Sequence, residues 1–201
     1  MLKKQRDLIH LLSDRELLIN FYLSQGLIFV SSFILNWIFF RDFFLLFKRF
    51  DFTDVPAILL VGGGAGLLVV IIDYLLLRWL PYDYFDDGGI NERLFKGRRV
   101  WHITGMTLLV AFCEELLFRG VLQEKFGLIV ASVIFAVIHF RYLDKIFLFT
   151  GVLFLSFFIG IIYEWTGNLA VTFFMHFVID FLLGLLIKYQ KIPQNKIDSG
   201  A

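Results

Sequence analysis

The stretch ITGMTLLVAFCEELLFRGVL, residues 103–122, decides how this chain folds. At 1.5 Å per residue, about twenty apolar residues match the roughly 30 Å of hydrocarbon in a bilayer. Yet this segment holds Glu114, Glu115 and Arg119. A charge in low dielectric costs several kcal/mol unless it is paired or hydrated. The stretch therefore reads as a membrane helix whose charged side faces other protein.

Composition extends that reading to the whole chain. Of 201 residues, 59% are hydrophobic and 18% aromatic, with 26 Phe and only 3 Pro. Mean hydropathy is +0.77. Soluble domains sit nearer 45–50% apolar and about 25% charged. The expected fold is all-α, a polytopic membrane bundle of about six helices. They fall at roughly 17–40, 55–80, 100–124, 127–141, 146–165 and 168–188. Arg41-Asp42, KRFDFTD, PYDYFDDGGINERLFKGRR, Phe126-Gly127, RYLDK and EWTGN separate them.

These boundaries divide the chain into a segment 1–16, a single transmembrane domain 17–188 and a tail 189–201. Leu2, Leu8, Ile9, Leu11 and Leu12 among basic residues suggest a short amphipathic helix on the membrane surface. The first twenty residues are too charged for a signal-peptide core. No internal repeat or second soluble domain stands out. With the N-terminus inside, the inner segments carry fourteen Lys and Arg, against Arg41, Lys48, Arg49 and Lys125 outside. That bias places both termini in the cytoplasm, in a multi-pass protein of a cell membrane. The single cysteine, Cys113, excludes an internal disulfide framework and a cysteine-rich metal site. No basic run is dense enough for a nucleic-acid partner.

Depth then groups the polar residues. If the third and fourth helices turn at Phe126-Gly127, Glu114 lies about twelve residues before the turn and His139 about twelve after it. Both sit roughly 18 Å below the turn. The last two helices turn at Gly167, which puts His176 and Asp180 roughly 13 and 20 Å below that turn. Glu115 and Arg119 are four residues apart, as are His176 and Asp180, so each pair shares a helix face. Neighbouring Glu114 and Glu115 diverge by about 100°. One carboxylate can serve Arg119 while the other faces His139. Two carboxylates in different settings suit different tasks, and Glu with His can activate a water. A second His can donate to a developing oxyanion.

The motifs carry a resemblance. EELLFRG at 114–120, FAVIH at 135–139 and HFVID at 176–180 resemble, in order and spacing, EExxxR, FxxxH and Hxxx(N/D). These belong to the CAAX-processing and bacteriocin-processing (CPBP, or Abi) family of intramembrane glutamic proteases. The resemblance covers residues of roughly 100–188, the expected catalytic core, and EWTGNLAVTFFMH is similar to the family's lead-in to its third motif. It implies peptide-bond hydrolysis without metal, cofactor or covalent intermediate. Glu114 would be the general base and His139 its partner in binding water. Glu115 and Arg119 would set the position and charge of that base, while His176 and Asp180 would line the oxyanion side. Asp180 stands where the prenyl-protein proteases carry Asn, as in bacterial members, so a prenylated substrate is not expected. The partner implied is a membrane-associated peptide or protein in the lipid bilayer.

Other features admit other readings. Asp73 can pair with Arg78, and GGGAG at 62–66 lets helices approach closely. His10 and His102 lie near the expected inner surface. Two His with several carboxylates would also suit zinc, although Arg119 opposes a dication. A proton-coupled carrier or a non-catalytic scaffold of the same fold are the non-enzyme alternatives.

Overall fold

The computed structural model describes residues 11–189. The surface helix expected around Leu2, Leu8 and Ile9, His10, and the tail beyond Tyr189 lie outside the described residues.

Helix α1, Asp14–Phe40, starts where Ser13 accepts from the Glu16 backbone and the Glu16 carboxylate accepts from Ser13 N–H at 2.8 Å. This reciprocal capping satisfies amide groups that a helix start leaves without partners. Its buried residues include Gln25, Ser32 and Asn36, whereas Leu23, Leu27, Val30 and Ile34 point outward. Polar residues inward and apolar residues outward is the arrangement lipid demands.

A short helix α2, Leu45–Lys48, leads to α3, Ala57–Trp79, whose first part, Ala57–Gly63, is wound as a π-helix. Helix α4, Ile90–Phe95, lies at the opposite end of the bundle, with Ile90 and Leu94 buried near Leu17 and Met106. Then come α5, Val100–Leu117, a π-turn over Phe118–Gln123, and α6, Glu124–Ile138. Helices α7, Ile146–Thr166, and α8, Leu169–Lys188, complete the bundle. Gly167 takes φ 62° between them, a left-handed conformation that suits glycine.

Among the described residues, five helical runs are long and apolar enough to span a membrane, where about six were expected. The difference lies in Val100–Ile138, a 39-residue run. Straight, it would reach about 58 Å. It is broken at Gly127, whose φ of 81° and ψ of 170° are not helical. The Phe118 and Phe135 ring centroids are 4.7 Å apart, although a straight helix would separate the residues by about 25 Å. The run therefore folds back at Gly127. Its returning arm from Leu128 to Ile138 rises only about 16 Å, half a bilayer, so the fourth expected helix does not cross by itself.

Two packing devices fix the helices around that hairpin. Helix α3 rests on α8 through glycines: a Cβ at Gly62 would come within 2.5 Å of the Val171 carbonyl oxygen, and one at Gly66 within 2.9 Å of Met175 O. Val70, Ile159, Val171, Met175 and Ile179 fill the seam between α3, α7 and α8. The 41–56 connection lies across the turns. Arg49 donates to the Gly120 carbonyl and pairs with Glu124 at 3.2 Å, while Tyr163 donates to Glu124 at 2.7 Å. Asn168 Oδ1 accepts from Asp51 N–H at 3.0 Å and from Ala170 N–H at 2.9 Å. At the far end of α3, Arg78 donates to the Tyr74 hydroxyl at 3.1 Å rather than forming the expected pair with Asp73. Tyr74 is four residues away on the same face; Asp73, at five, is turned about 140° aside.

Candidate active site

The π-turn after α5 is what places Arg119. Phe118 N–H reaches both Glu114 O and Glu115 O, and the helix widens over the next residues. Widened turns of this kind are frequent at functional sites. Arg119 is completely buried, as is Glu115, with Nε to Oε2 at 3.7 Å. Its other nitrogens donate to Gln123 Oε1 at 3.2 Å and to Ser156 Oγ at 2.9 Å, and Gln123 in turn donates to Gly160 O at 2.8 Å. The guanidinium lies 5.8 Å from the Phe135 ring centre. Gly160 admits this cluster: a Cβ there would meet Gln123 Oε1 at 2.9 Å and Arg119 Nη1 at 3.1 Å.

His176 is the centre of the site. Its Nδ1 lies 3.0 Å from Glu115 Oε1. A carboxylate only accepts, so Nδ1 carries the proton. The opposite nitrogen, Nε2, lies 3.6 Å from Asp180 Oδ2 and 4.0 Å from Glu114 Oε2. Glu114, Glu115 and His176 are buried, whereas the Asp180 side chain remains 28% exposed, which makes it the open edge of the cluster. Glu115 also interacts with Thr172 on α8. Glu114 faces Gln25 of α1.

The structure thus gathers Glu114, Glu115, Asp180 and, through Glu115, Arg119 around His176. His139 stands one ring further out. Its ring is 4.6 Å from that of Phe135, which is 6.4 Å from that of His176. His139 Nδ1 lies 2.7 Å from Phe135 O, so this nitrogen is the donor and Nε2 carries the lone pair in the neutral ring. The expected facing of one glutamate toward His139 takes a different form, because His176 sits between both glutamates. Among the described residues, no three His, Cys, Asp or Glu side chains are grouped as a metal site.

The sequence reading missed Gln25, Gln123, Ser156 and Thr172. Gln123 carried a signal, being four residues from Arg119 in an apolar run. Ser156 and Gly160 are likewise four apart on α7. Gln25 offered only an amide amid apolar neighbours.

Fold and site together define a multi-pass membrane protein with a buried centre of carboxylates, histidine and arginine. Residues 96–182 match the family described as type II CAAX prenyl endopeptidase Rce1-like. A Bacillus subtilis (strain 168) protein, the uncharacterized protein YpbD, is 42% identical over 176 residues, covering 88% of this chain and 93% of YpbD. The chain belongs to the Rce1-like CAAX endopeptidase family, which supports a protease acting on a membrane-associated substrate. No solved structure matches it.

Proposed function

We propose that the protein is a metal-independent intramembrane endopeptidase in which Glu114 activates a water. The carrying observation is the asymmetry around His176. Glu115 holds Nδ1 at 3.0 Å, while Nε2 faces Glu114 Oε2 across 4.0 Å. That gap is too long for a hydrogen bond, and one oxygen atom about 2.8 Å from each side can bridge it. Glu114 Oε2 is buried and accepts no hydrogen bond among the described residues.

In the reaction this supports, Glu114 takes a proton from the water as its oxygen bonds to the scissile carbonyl carbon. The carbonyl electrons move onto its oxygen, which His176, doubly protonated among Glu115, Asp180 and Glu114, stabilises by donation from Nε2. Collapse of this intermediate breaks the C–N bond, and the proton on Glu114 passes to the leaving amine. Arg119 keeps Glu115 ionised, and Glu115 holds the Nδ1 proton of His176, which turns the Nε2–H toward the site. The charge bias argues that both termini are cytoplasmic.

The test compares membrane-associated peptides in cells carrying wild-type protein or Glu114→Gln. Uncleaved precursors should accumulate in the variant, and purified wild type should cleave them with a chelator present. Identical peptide profiles would defeat the endopeptidase reading and favour a scaffold. Activity lost to chelation and restored by zinc would favour the metalloprotease.

A further inference from the structure

Helix α1 lies outside the family match, yet its buried face is polar over Gln25, Ser32 and Asn36. Two of these have local explanations. Ser32 Oγ donates to Ile28 O at 2.8 Å in its own helix, and Asn36 Nδ2 donates to Asp42 O at 2.5 Å in the following loop. Gln25 has neither.

The register of α1 against α5 brings Gln25 to the site. Leu17 packs in one cluster with Met106. Both helices have the same rise, so eight residues further along each, about 12 Å on, Gln25 comes level with Glu114. The side chains do meet, the Gln25 amide interacting with the Glu114 carboxyl group. Both residues are nearly inaccessible, at 6% and 5% exposure. Gln25 Oε1 and Glu114 Oε2 are each buried without a donor among the described residues. An unsatisfied buried acceptor costs about 1–3 kcal/mol, so each of these two, on side chains that interact, calls for a donor, and one donor can serve both.

We propose that Gln25 is a positioning residue for the hydrolytic water, its amide N–H holding one Glu114 oxygen and its Oε1 orienting the water that the other Glu114 oxygen deprotonates. This rests on the endopeptidase reading above and adds a component from outside its three motifs. Two acceptors in contact with one water take both its protons. Its lone pairs then point away from Glu114 and Gln25, toward an incoming carbonyl carbon. Only Glu114 can keep the proton as the C–O bond forms, because an amide oxygen is too weak a base. Gln25 therefore sets the direction of attack without changing the proton balance.

The test uses full-length protein in lipid nanodiscs. Infrared difference spectra of wild type against Glu114→Gln assign the carboxyl band of Glu114 without any substrate. Gln25→Met, close in shape but unable to hydrogen-bond, should shift that band, and Ser32→Ala should leave it in place. On a precursor peptide that wild type cleaves, Gln25→Met should lower kcat about tenfold, equivalent to about 1.4 kcal/mol, with KM unchanged. Gln25→Asn, which keeps the amide on a shorter stem, should recover part of that loss. An unmoved Glu114 band in folded Gln25→Met overturns the proposal, as does a kcat equal to wild type. Should Gln25→Met fail to fold, Gln25→Asn takes both measurements, and an unmoved band with wild-type kcat overturns the proposal equally. If Glu114→Gln cleaves as well as wild type, the reading of Glu114 as the base fails, while the infrared arm still decides whether Gln25 holds Glu114.

Discussion

The chain winds π-helix at Ala57–Gly63 and again at Phe118–Gln123, and the two turns serve different ends. In the first, Gly62 lets α3 settle against the backbone of α8 at Val171. Asp54 caps its first amide, accepting from Ala57 N–H at 3.1 Å. None of the turn's own side chains takes part in the described hydrogen bonds and ion pairs, because every residue in AILLVGG is apolar or glycine. The second also uses a glycine for close approach, with Leu46 packed over Gly120. There, however, the Gly120 carbonyl accepts from Arg49, and Arg119 enters a cluster of polar side chains. The same widened backbone thus supports pure packing in one place and a charged centre in the other. Winding alone does not mark a site; the side chains it delivers do.

The sharpest separation of these roles comes from Glu114→Gln. It keeps shape and removes the base, so cleavage should fall about 10²- to 10⁴-fold with thermal melting unchanged. A variant retaining more than a tenth of wild-type kcat would remove Glu114 from the chemistry.

Arg119→Ala should break structure and chemistry together. Glu115 would remain buried without its cation, which costs about 3–5 kcal/mol. Melting in detergent should drop accordingly, and equal melting of wild type and variant would contradict the ion pair. Gly62→Val tests the other turn. Its Cβ meets backbone, which cannot rotate away, so stability should fall by about 1–3 kcal/mol. Cleavage per folded molecule should stay near wild type. A selective loss of kcat would show that the packing seam and the site are coupled.

Much of this was legible in the sequence, for physical reasons that also explain the rest. Charges in hydrocarbon must find partners, so depth could group Glu114 and His139 with His176 and Asp180, and the four-residue spacing could join Arg119 to Glu115. Depth does not give rotation, however. That is why the central place of His176, rather than His139, emerged only from the packed helices. Hydropathy also counted the returning arm after Gly127 as a full span, because composition does not register where a helix stops. Gln25 was out of reach because α1 carries no charge near it, and a neutral amide leaves little trace in hydropathy.

Asp180→Asn should have the smallest effect, and the reason lies in which nitrogen each carboxylate faces. If Asp180 orients His176, replacing it should abolish activity at every pH. In the structure Glu115 already performs that task at Nδ1, at 3.0 Å, whereas Asp180 lies 3.6 Å from Nε2 and is partly exposed. One carboxylate suffices to orient an imidazole ring. Asparagine, moreover, offers an N–H that can donate to an oxyanion without first being protonated. The expected result is a kcat within about tenfold of wild type, the equivalent of about 1.4 kcal/mol. Any alkaline decline that depends on a protonated Asp180 should flatten in the variant. A pH–rate profile on one cleavable peptide decides between the roles. Complete loss across the whole range would return the orienting role to Asp180 and leave Glu115 as the partner of Arg119 alone.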